Sequence, residues 1–317
     1  MIGHHPGVLS HLGLGRVRRS TLADANAGRP AALFEAVAAK LAAGLPRRGL
    51  GREALRLIDA TRIFAGKNVA AWAGGGVKLH VALDPLAERP VWFAVTGERV
   101  NDITAAKAMP VEGGASYVFD KGYYDFGFWA QLDAAGCRFV TRLKKNAAIR
   151  PVSERPVAAD GSLLFDRIVL LAERLSGQRR NPYQKPVRLV GVRLQTGAEL
   201  VLLTNDLAAP ASTVAALYKA RWQVELFFKW IKQNLRLARF LGTSRNAVTI
   251  QIMAALIAFL LMRSAILRNA ATVSLKALAS LMPATAFARR PLATILGPPP
   301  QPPQQTQQNA QLNLAWS

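Results

Sequence analysis

The sequence predicts an α/β fold: a core of mixed strands and helices, a β-rich insertion near its middle, and flanking helices. Three observations predict it. Residues 51–145 alternate short apolar strand-like runs with helical stretches. Residues 146–208 hold strand-like runs divided by Gly, Pro and Asn. Helical periodicity returns at Ala211, and a second, very apolar helix is expected from Ala247 to Leu267.

Residues 1–50 read as a partial N-terminal helical region. Ser20-Thr-Leu-Ala-Asp-Ala-Asn26 precedes an Ala- and Leu-rich helix from Pro30 to Leu45. Leu55 to Ile63 is a buried strand with Asp59 in its middle, and Ala70 to Gly76 is a loop. Val77 to Leu83 alternates as a second strand, which Asp84-Pro85 ends, and Val91 to Val95 is a third. Asn101-Asp-Ile-Thr104 begins a short helix with Asn101 as cap. Ala115 to Asp120 is a fourth strand ending in a carboxylate; a helix from about Phe126 to Ala135 and a strand from Arg138 to Leu143 follow. Strand-strand-strand-helix-strand-helix-strand is the order of a ribonuclease-H-like sheet, so 51–145 is the first part of such a core. In the insertion, Leu163–Leu171, Val187–Leu194 and Leu200–Thr204 are strands. Residues 209–270 complete the core, and 271–317 hold a C-terminal helix and a Pro- and Gln-rich disordered tail from Gly297.

The chain has 317 residues, half of them apolar, enough for a sizeable core. Lys and Arg number 41 against 19 Asp and Glu, a net charge of +22. Such an excess favours a polyanion, most commonly nucleic acid, with a membrane surface and ribosomal RNA as the alternatives. The basic residues recur through the body, as at Arg142, Lys144, Lys145, Arg179 and Arg180, which suits a long binding surface. One cysteine, Cys137, excludes an intrachain disulfide and a Cys-rich zinc module and reads as core. No signal peptide is visible. The longest apolar run, Ile252 to Met262, is too short to span a bilayer and ends at Arg263, so no membrane role is expected.

The most specific pattern is Tyr218, Arg221, Glu225 and Lys232. At 100° per residue their side chains fall within a roughly 60° arc of one helix. Leu217, Val224, Phe227, Phe228, Ile231 and Leu235 form an apolar stripe beside that arc. An amphipathic surface helix with a Glu225–Lys229 pair is the plainer alternative. The carboxylates decide between them. Asp59 sits in an apolar strand, Asp120 ends another and Glu225 lies on the later helix. An unpaired buried carboxylate is costly, so each needs either an arginine partner or a cation. The first and fourth strands of a ribonuclease-H-like sheet are adjacent, which lets Asp59 and Asp120 face each other. Hard oxygen ligands suit Mg²⁺. Two such ions about 4 Å apart activate a water or a 3′-hydroxyl and stabilise the leaving oxygen at a phosphodiester.

Three segments carry a resemblance: Leu-Arg-Leu-Ile-Asp59-Ala-Thr, Val-Phe-Asp120-Lys-Gly-Tyr-Tyr, and Tyr-x2-Arg-x3-Glu-x6-Lys from Tyr218 to Lys232. From about residue 10 to about residue 268 the chain resembles insertion-sequence transposases of the IS4 family, which carry a DDE triad. The resemblance implies Mg-dependent cleavage and strand transfer at insertion-sequence ends, with Asp59, Asp120 and Glu225 as catalytic, metal-binding triad. It implies two Mg²⁺ ions, for which Mn²⁺ can stand in. Tyr218, Arg221 and Lys232 are expected to contact end phosphates. Double-stranded DNA, as transposon end and as target, is the expected partner, with a homodimer in the synaptic complex and a cytoplasmic, nucleoid-associated location in a bacterium. A catalytically impaired DNA-binding remnant and a nuclease without strand transfer are the competing readings.

Other residues carry two readings each. Lys121-Gly-Tyr-Tyr124 is a turn with aromatic packing or a DNA-contacting loop. Trp222 is core or a stacking platform for a flipped base. Arg142 and Lys144 alternate on a strand and are candidates for tracking the DNA backbone; His80 is a strand residue, and His4 and His5 have no metal role. About 58 residues precede Asp59, fewer than family members carry, so the start is expected to lie upstream or the chain to be a truncated relative. Duplex binding with little sequence preference is expected of it.

Overall fold

A computed structural model describes residues 18–45, 54–63, 75–157, 162–174, 179–234, 240, 242–269, 273–285 and 294. The expectations for His4, His5, most of the loop before Gly76 and the tail from Gly297 lie outside the described residues. The chain divides into two compact units, Arg18–Leu260 and the combined segments Met1–Val17 and Leu261–Ser317. The first carries the whole sheet and the candidate site.

Helices α1 (Arg19–Gly28) and α2 (Ala31–Gly44) come first. Then follow β1 (Leu55–Ile63), β2 (Val77–Asp84) and β3 (Arg89–Gly97). The short helix α3 (Asp102–Lys107) leads to β4 (Ser116–Val118), and α4 (Phe126–Ala134) leads to β5 (Arg138–Arg142). β1 to β3 pair antiparallel, while β4 pairs parallel with β1 and β5 parallel with β4. Parallel neighbours need a crossover, and α3 and α4 supply them. The order β3-β2-β1-β4-β5 is the ribonuclease-H-like arrangement.

The insertion extends this sheet. β6 (Ile149–Arg155), β7 (Leu163–Leu171), β8 (Val187–Arg193) and β9 (Glu199–Thr204) make it nine-stranded, with β9 antiparallel to β5. β6 was not expected from sequence. Its residues Ile-Arg-Pro-Val-Ser-Glu-Arg show no alternation, and all but the last are exposed. It forms the outer edge, where Pro151 and the irregular register beside it are tolerated. At Gly191, in β8, a Cβ would lie 2.5 Å from the Phe165 ring, so the aromatic packs directly on backbone. Arg188 and Asp166, both buried, form a two-pronged pair at 2.8 and 2.6 Å.

One apolar cluster fills a face of the sheet: Ile58, Tyr117, Phe119, Phe128, Trp129, Leu132, Phe139, Leu189 and Leu203 are all 2% exposed or less. Burying each such side chain contributes about 1.5–3 kcal/mol. Cys137 lies in this core, as expected. Two strand ends near the site and one cap differ from expectation. β4 stops at Val118, so Asp120 stands beyond it. β5 stops at Arg142, so Lys144 is not on the strand. Asn101 precedes α3 without a side-chain capping bond.

The single helix expected after the sheet is two. α5 (Ala211–Ala220) and α6 (Trp222–Asn234) meet at Arg221. Around the joint the backbone takes tighter i,i+3 bonds, Arg221 N–H to Tyr218 O and Val224 N–H to Arg221 O, both 3.1 Å. Val224, Phe227, Phe228 and Ile231 are buried, as the stripe predicts. The following helix, α7 (Arg245–Arg268), is 24 residues, long and apolar enough by composition to cross a membrane. Its Val248, Ile252, Met253, Leu256 and Phe259 are nonetheless buried in protein, Phe259 edge-on to Phe227 at 5.1 Å. Asn246 ties its start to the α1–α2 connection, accepting from Ala31 N–H at 3.0 Å and donating to Asn26 O at 2.8 Å. A last helix, α8 (Leu275–Thr285), belongs to the second unit.

Candidate active site

The site is built where β1 and the end of β4 meet the joint between α5 and α6. Asp59 lies mid-β1, half-buried, with Oδ1 accepting from Ala60 N–H at 2.8 Å. Its Oδ2 accepts from Arg221 Nη1 at 3.2 Å. The other arm of the same guanidinium, Nη2, donates to Glu225 Oε1 at 2.5 Å. One arginine thus joins a carboxylate of the sheet to a carboxylate of the helix. The expected alternative, a Glu225–Lys229 pair, is replaced by this contact.

Asp120 follows β4 at the start of a short 3₁₀ turn, Lys121–Tyr123. Its Oδ1 accepts from Gly122 N–H at 2.7 Å, and a Cβ at Gly122 would lie 2.8 Å from that oxygen. Glycine is what lets the backbone approach this closely. Thr141 Oγ1 donates to the Asp120 carbonyl at 3.1 Å, fixing the turn to β5.

The carboxylates share one electrostatic neighbourhood. Burial pushes Asp59 up to about 6; the charges of Asp120 and Glu225 add to that rise, while the Ala60 N–H and Arg221 oppose it. For Arg221, burial works against the charge but is outweighed by Tyr218, Asp59 and Glu225, which hold the guanidinium protonated. Among the described residues, no three His, Cys, Asp or Glu side chains form a group ready to hold a metal ion. Arg221 lies against two of the acids.

The sequence-predicted basic residues separate into two sets. Tyr218 stands beside Arg221, with the guanidinium 5.8 Å from its ring centre, and burial with the field of Asp120 raises its pKa against the pull of Arg221 and Arg142. Arg142, at the end of β5, is near enough for its charge to act on the Tyr218 hydroxyl. Lys232 does not meet the carboxylates: it is exposed on α6, about 10 Å along the axis from Glu225 at 1.5 Å per residue. Lys144 is exposed with its Nζ 4.7 Å from the Tyr124 ring centre. Trp222 is 59% exposed, so the core reading fails.

Tyr123 was not singled out by itself from sequence. It is 1% exposed, and its hydroxyl has no hydrogen-bond partner. Burial raises its pKa, and Asp59, Asp102 and Asp120 raise it further. Only its place in Lys121-Gly-Tyr-Tyr124, directly after Asp120, signalled it. His80 is a strand residue as expected, buried, with Nε2 2.8 Å from Thr96 Oγ1.

Comparison with known proteins gives the family. Residues 51–261 match the family described as Transposase DDE domain. A protein of Sinorhizobium fredii named as transposase y4zB is 41% identical over 293 residues, 89% of this chain and 81% of that protein. A protein of Geobacillus stearothermophilus named as a transposase for insertion sequence element IS5377 is 32% identical over 66% of this chain. One of Synechocystis named as a transposase for element IS4SA is 38% identical over 64%. The chain spans 56% and 52% of the length of these last two. A solved piggyBac transposase synaptic complex with hairpin DNA aligns with 81% of this chain and 60% of its own, at TM-score 0.42 and 13% identity.

Proposed function

The chain belongs to the Transposase DDE domain family, and on that premise we propose that it cuts and joins DNA phosphodiesters at insertion-sequence ends through Asp59, Asp120 and Glu225. The observation that carries this reading is the shared Arg221: Asp59 and Glu225, remote in sequence, contact one guanidinium, with Asp120 in their field.

The donor set fits a hard divalent cation. All three groups are carboxylates, and Asp59 and Glu225 already gather around a positive charge. Asp59, Asp120 and Glu225 would hold Mg²⁺, or Mn²⁺ in its place, two ions in all. Bound there, such ions would supply Lewis acidity at the phosphate and lower the pKa of a water or 3′-hydroxyl.

The chain's own residues do the remaining work. Arg221 and Arg142 offer guanidiniums to the phosphates beside the scissile bond, and Tyr218 packs alongside. Lys232, Lys144 and the exposed Trp222 extend the DNA-contacting surface away from the carboxylates. In the first step a water oxygen bonds to phosphorus and the 3′ oxygen leaves, taking a proton. In the second, that 3′-hydroxyl bonds to a target phosphorus and displaces the target's own 3′ oxygen, so the number of phosphodiesters is conserved. Joining two ends to one target suits a homodimer on duplex DNA.

Asp120→Asn tests the reading. Its shape is kept and a charge is lost, so folding and duplex binding should persist. Mg²⁺-dependent cleavage of a duplex carrying the inverted repeats beside the reading frame should vanish. Cleavage near the wild-type rate would sink the assignment.

A further inference from the structure

We infer that Arg221 is a resident cation of the acidic site: without DNA its guanidinium competes with divalent metal for Asp59 and Glu225, and a DNA phosphate relieves the competition. This rests on the reading of Asp59 and Glu225 as metal ligands.

Four observations carry it. First, Arg221 spends one nitrogen on each acid, at 3.2 Å to Asp59 and 2.5 Å to Glu225, so both oxygens that face it are occupied. Second, the side chains of Arg221, Asp59 and Glu225 are only 17%, 19% and 33% exposed, so their contact is shielded from solvent. Third, Arg221 Nε is buried without a hydrogen-bond partner, so the guanidinium is incompletely satisfied. A guanidinium favours two parallel bonds to one oxyanion, and a phosphate offers that through Nε and one Nη. Fourth, Arg221 occupies the joint of α5 and α6, beside Tyr218 and in the neighbourhood of Arg142. A phosphate drawn to these two arginines pulls Arg221 away from the acids. Metal binding and DNA binding are then positively coupled through one side chain, and coupling between two ligands is reciprocal. Arg221 acts as a positioning residue in this scheme: it holds the two carboxylates together until metal replaces it.

The test measures Mn²⁺ binding to the full chain by electron paramagnetic resonance of the free ion, at pH 8, with and without a generic duplex. The expected result is weak binding to the wild type alone and binding about tenfold or more tighter to Arg221→Ala. Duplex should tighten Mn²⁺ binding to the wild type by a similar factor and leave Arg221→Ala nearly unchanged. Arg221→Lys keeps a cation but cannot span both acids, so it should fall between the two. It also serves as the readout should Arg221→Ala fail to fold by circular dichroism. Equal or weaker Mn²⁺ binding in the folded variants overturns the inference. Loss of all binding in Glu225→Gln, in the same assay, separates that failure from a failure of the metal reading. Mn²⁺ binding absent from every form, duplex present, removes both.

Discussion

Arg188→Met probes how the insertion holds the site. Arg188 is 2% exposed and Asp166 4%, and they share two charge-assisted bonds at 2.8 and 2.6 Å. The third nitrogen, Nη1, donates to the carbonyl of Ala209, in the segment that leads into α5 and Tyr218. The pair therefore ties β7 and β8 to the segment that aims the Arg221 joint. Methionine fills much of the volume but leaves Asp166 charged and buried. Breaking a buried pair from one side costs about 3–5 kcal/mol. At about 2–4 °C per kcal/mol for a unit of this size, the midpoint should fall by roughly 6–20 °C. Replacing both partners, as Arg188→Met with Asp166→Leu, should restore most of that stability, because no charge is stranded. The Ala209 tether would still be missing, so end cleavage should remain reduced in the stable double variant. Urea unfolding followed by circular dichroism gives the energies, and a cleavage assay gives the second readout. A single variant that loses less than about 1 kcal/mol, or a double variant with full cleavage, would refute the tether.

Two further outcomes are expected. Gly122→Ala places a Cβ 2.8 Å from Asp120 Oδ1, so the carboxylate must turn away. Cleavage should fall about tenfold or more while unfolding stability changes by about 1 kcal/mol or less, a surface-turn effect; unchanged cleavage would show that Asp120 tolerates the shift. The second concerns acid. Burial holds His80 down at about 4 from 6.5, against the pull of Asp102 and with help from Lys78. The unfolded chain then binds a proton first, so the folded state loses stability as pH falls from about 6.5 towards 4, by on the order of 3 kcal/mol at most. Above pH 7 His80 is neutral in both states and contributes no slope. His80→Gln, which keeps a polar group near Thr96, should flatten the wild-type loss between pH 7 and pH 4.5 in urea titrations; an equally steep loss would assign it elsewhere.

The strands that were legible from sequence are the ones whose burial is one-sided or complete. β1 and β7 begin and end where expected, Leu55–Ile63 and Leu163–Leu171, because apolar runs bounded by turn residues mark both ends. β6 was illegible because its partner makes it a strand. Ile149–Arg155 buries almost nothing, carries a proline and pairs along β7 at the edge. Edge pairing leaves little trace in composition. Asp120 shows the same limit on a smaller scale. Its sequence position at the end of an apolar run suggested a strand terminus, whereas its carboxylate accepts from Gly122 N–H and starts a turn. A short acidic side chain before glycine does both, and only the backbone decides.

For the site, helical spacing carried the local half of the answer. Tyr218, Arg221 and Glu225 do meet, since contacts at +3 and +4 survive the joint between α5 and α6. Lys232 shares their angular position, but an angle says nothing of distance along an axis, and two turns put it out of reach of the acids. The non-local half was hidden. That Arg221 pairs with Asp59 depends on which strand the helix joint packs against, and no periodicity encodes that. The same non-local contact has a consequence for how such a site works. Carboxylates gathered together repel one another: at Asp59 burial does most to raise the proton affinity, and the charges of Asp120 and Glu225 add to it. An arginine at the joint that precedes the helix of Glu225 relieves that repulsion within the protein, because its two arms hold Asp59 and Glu225 together.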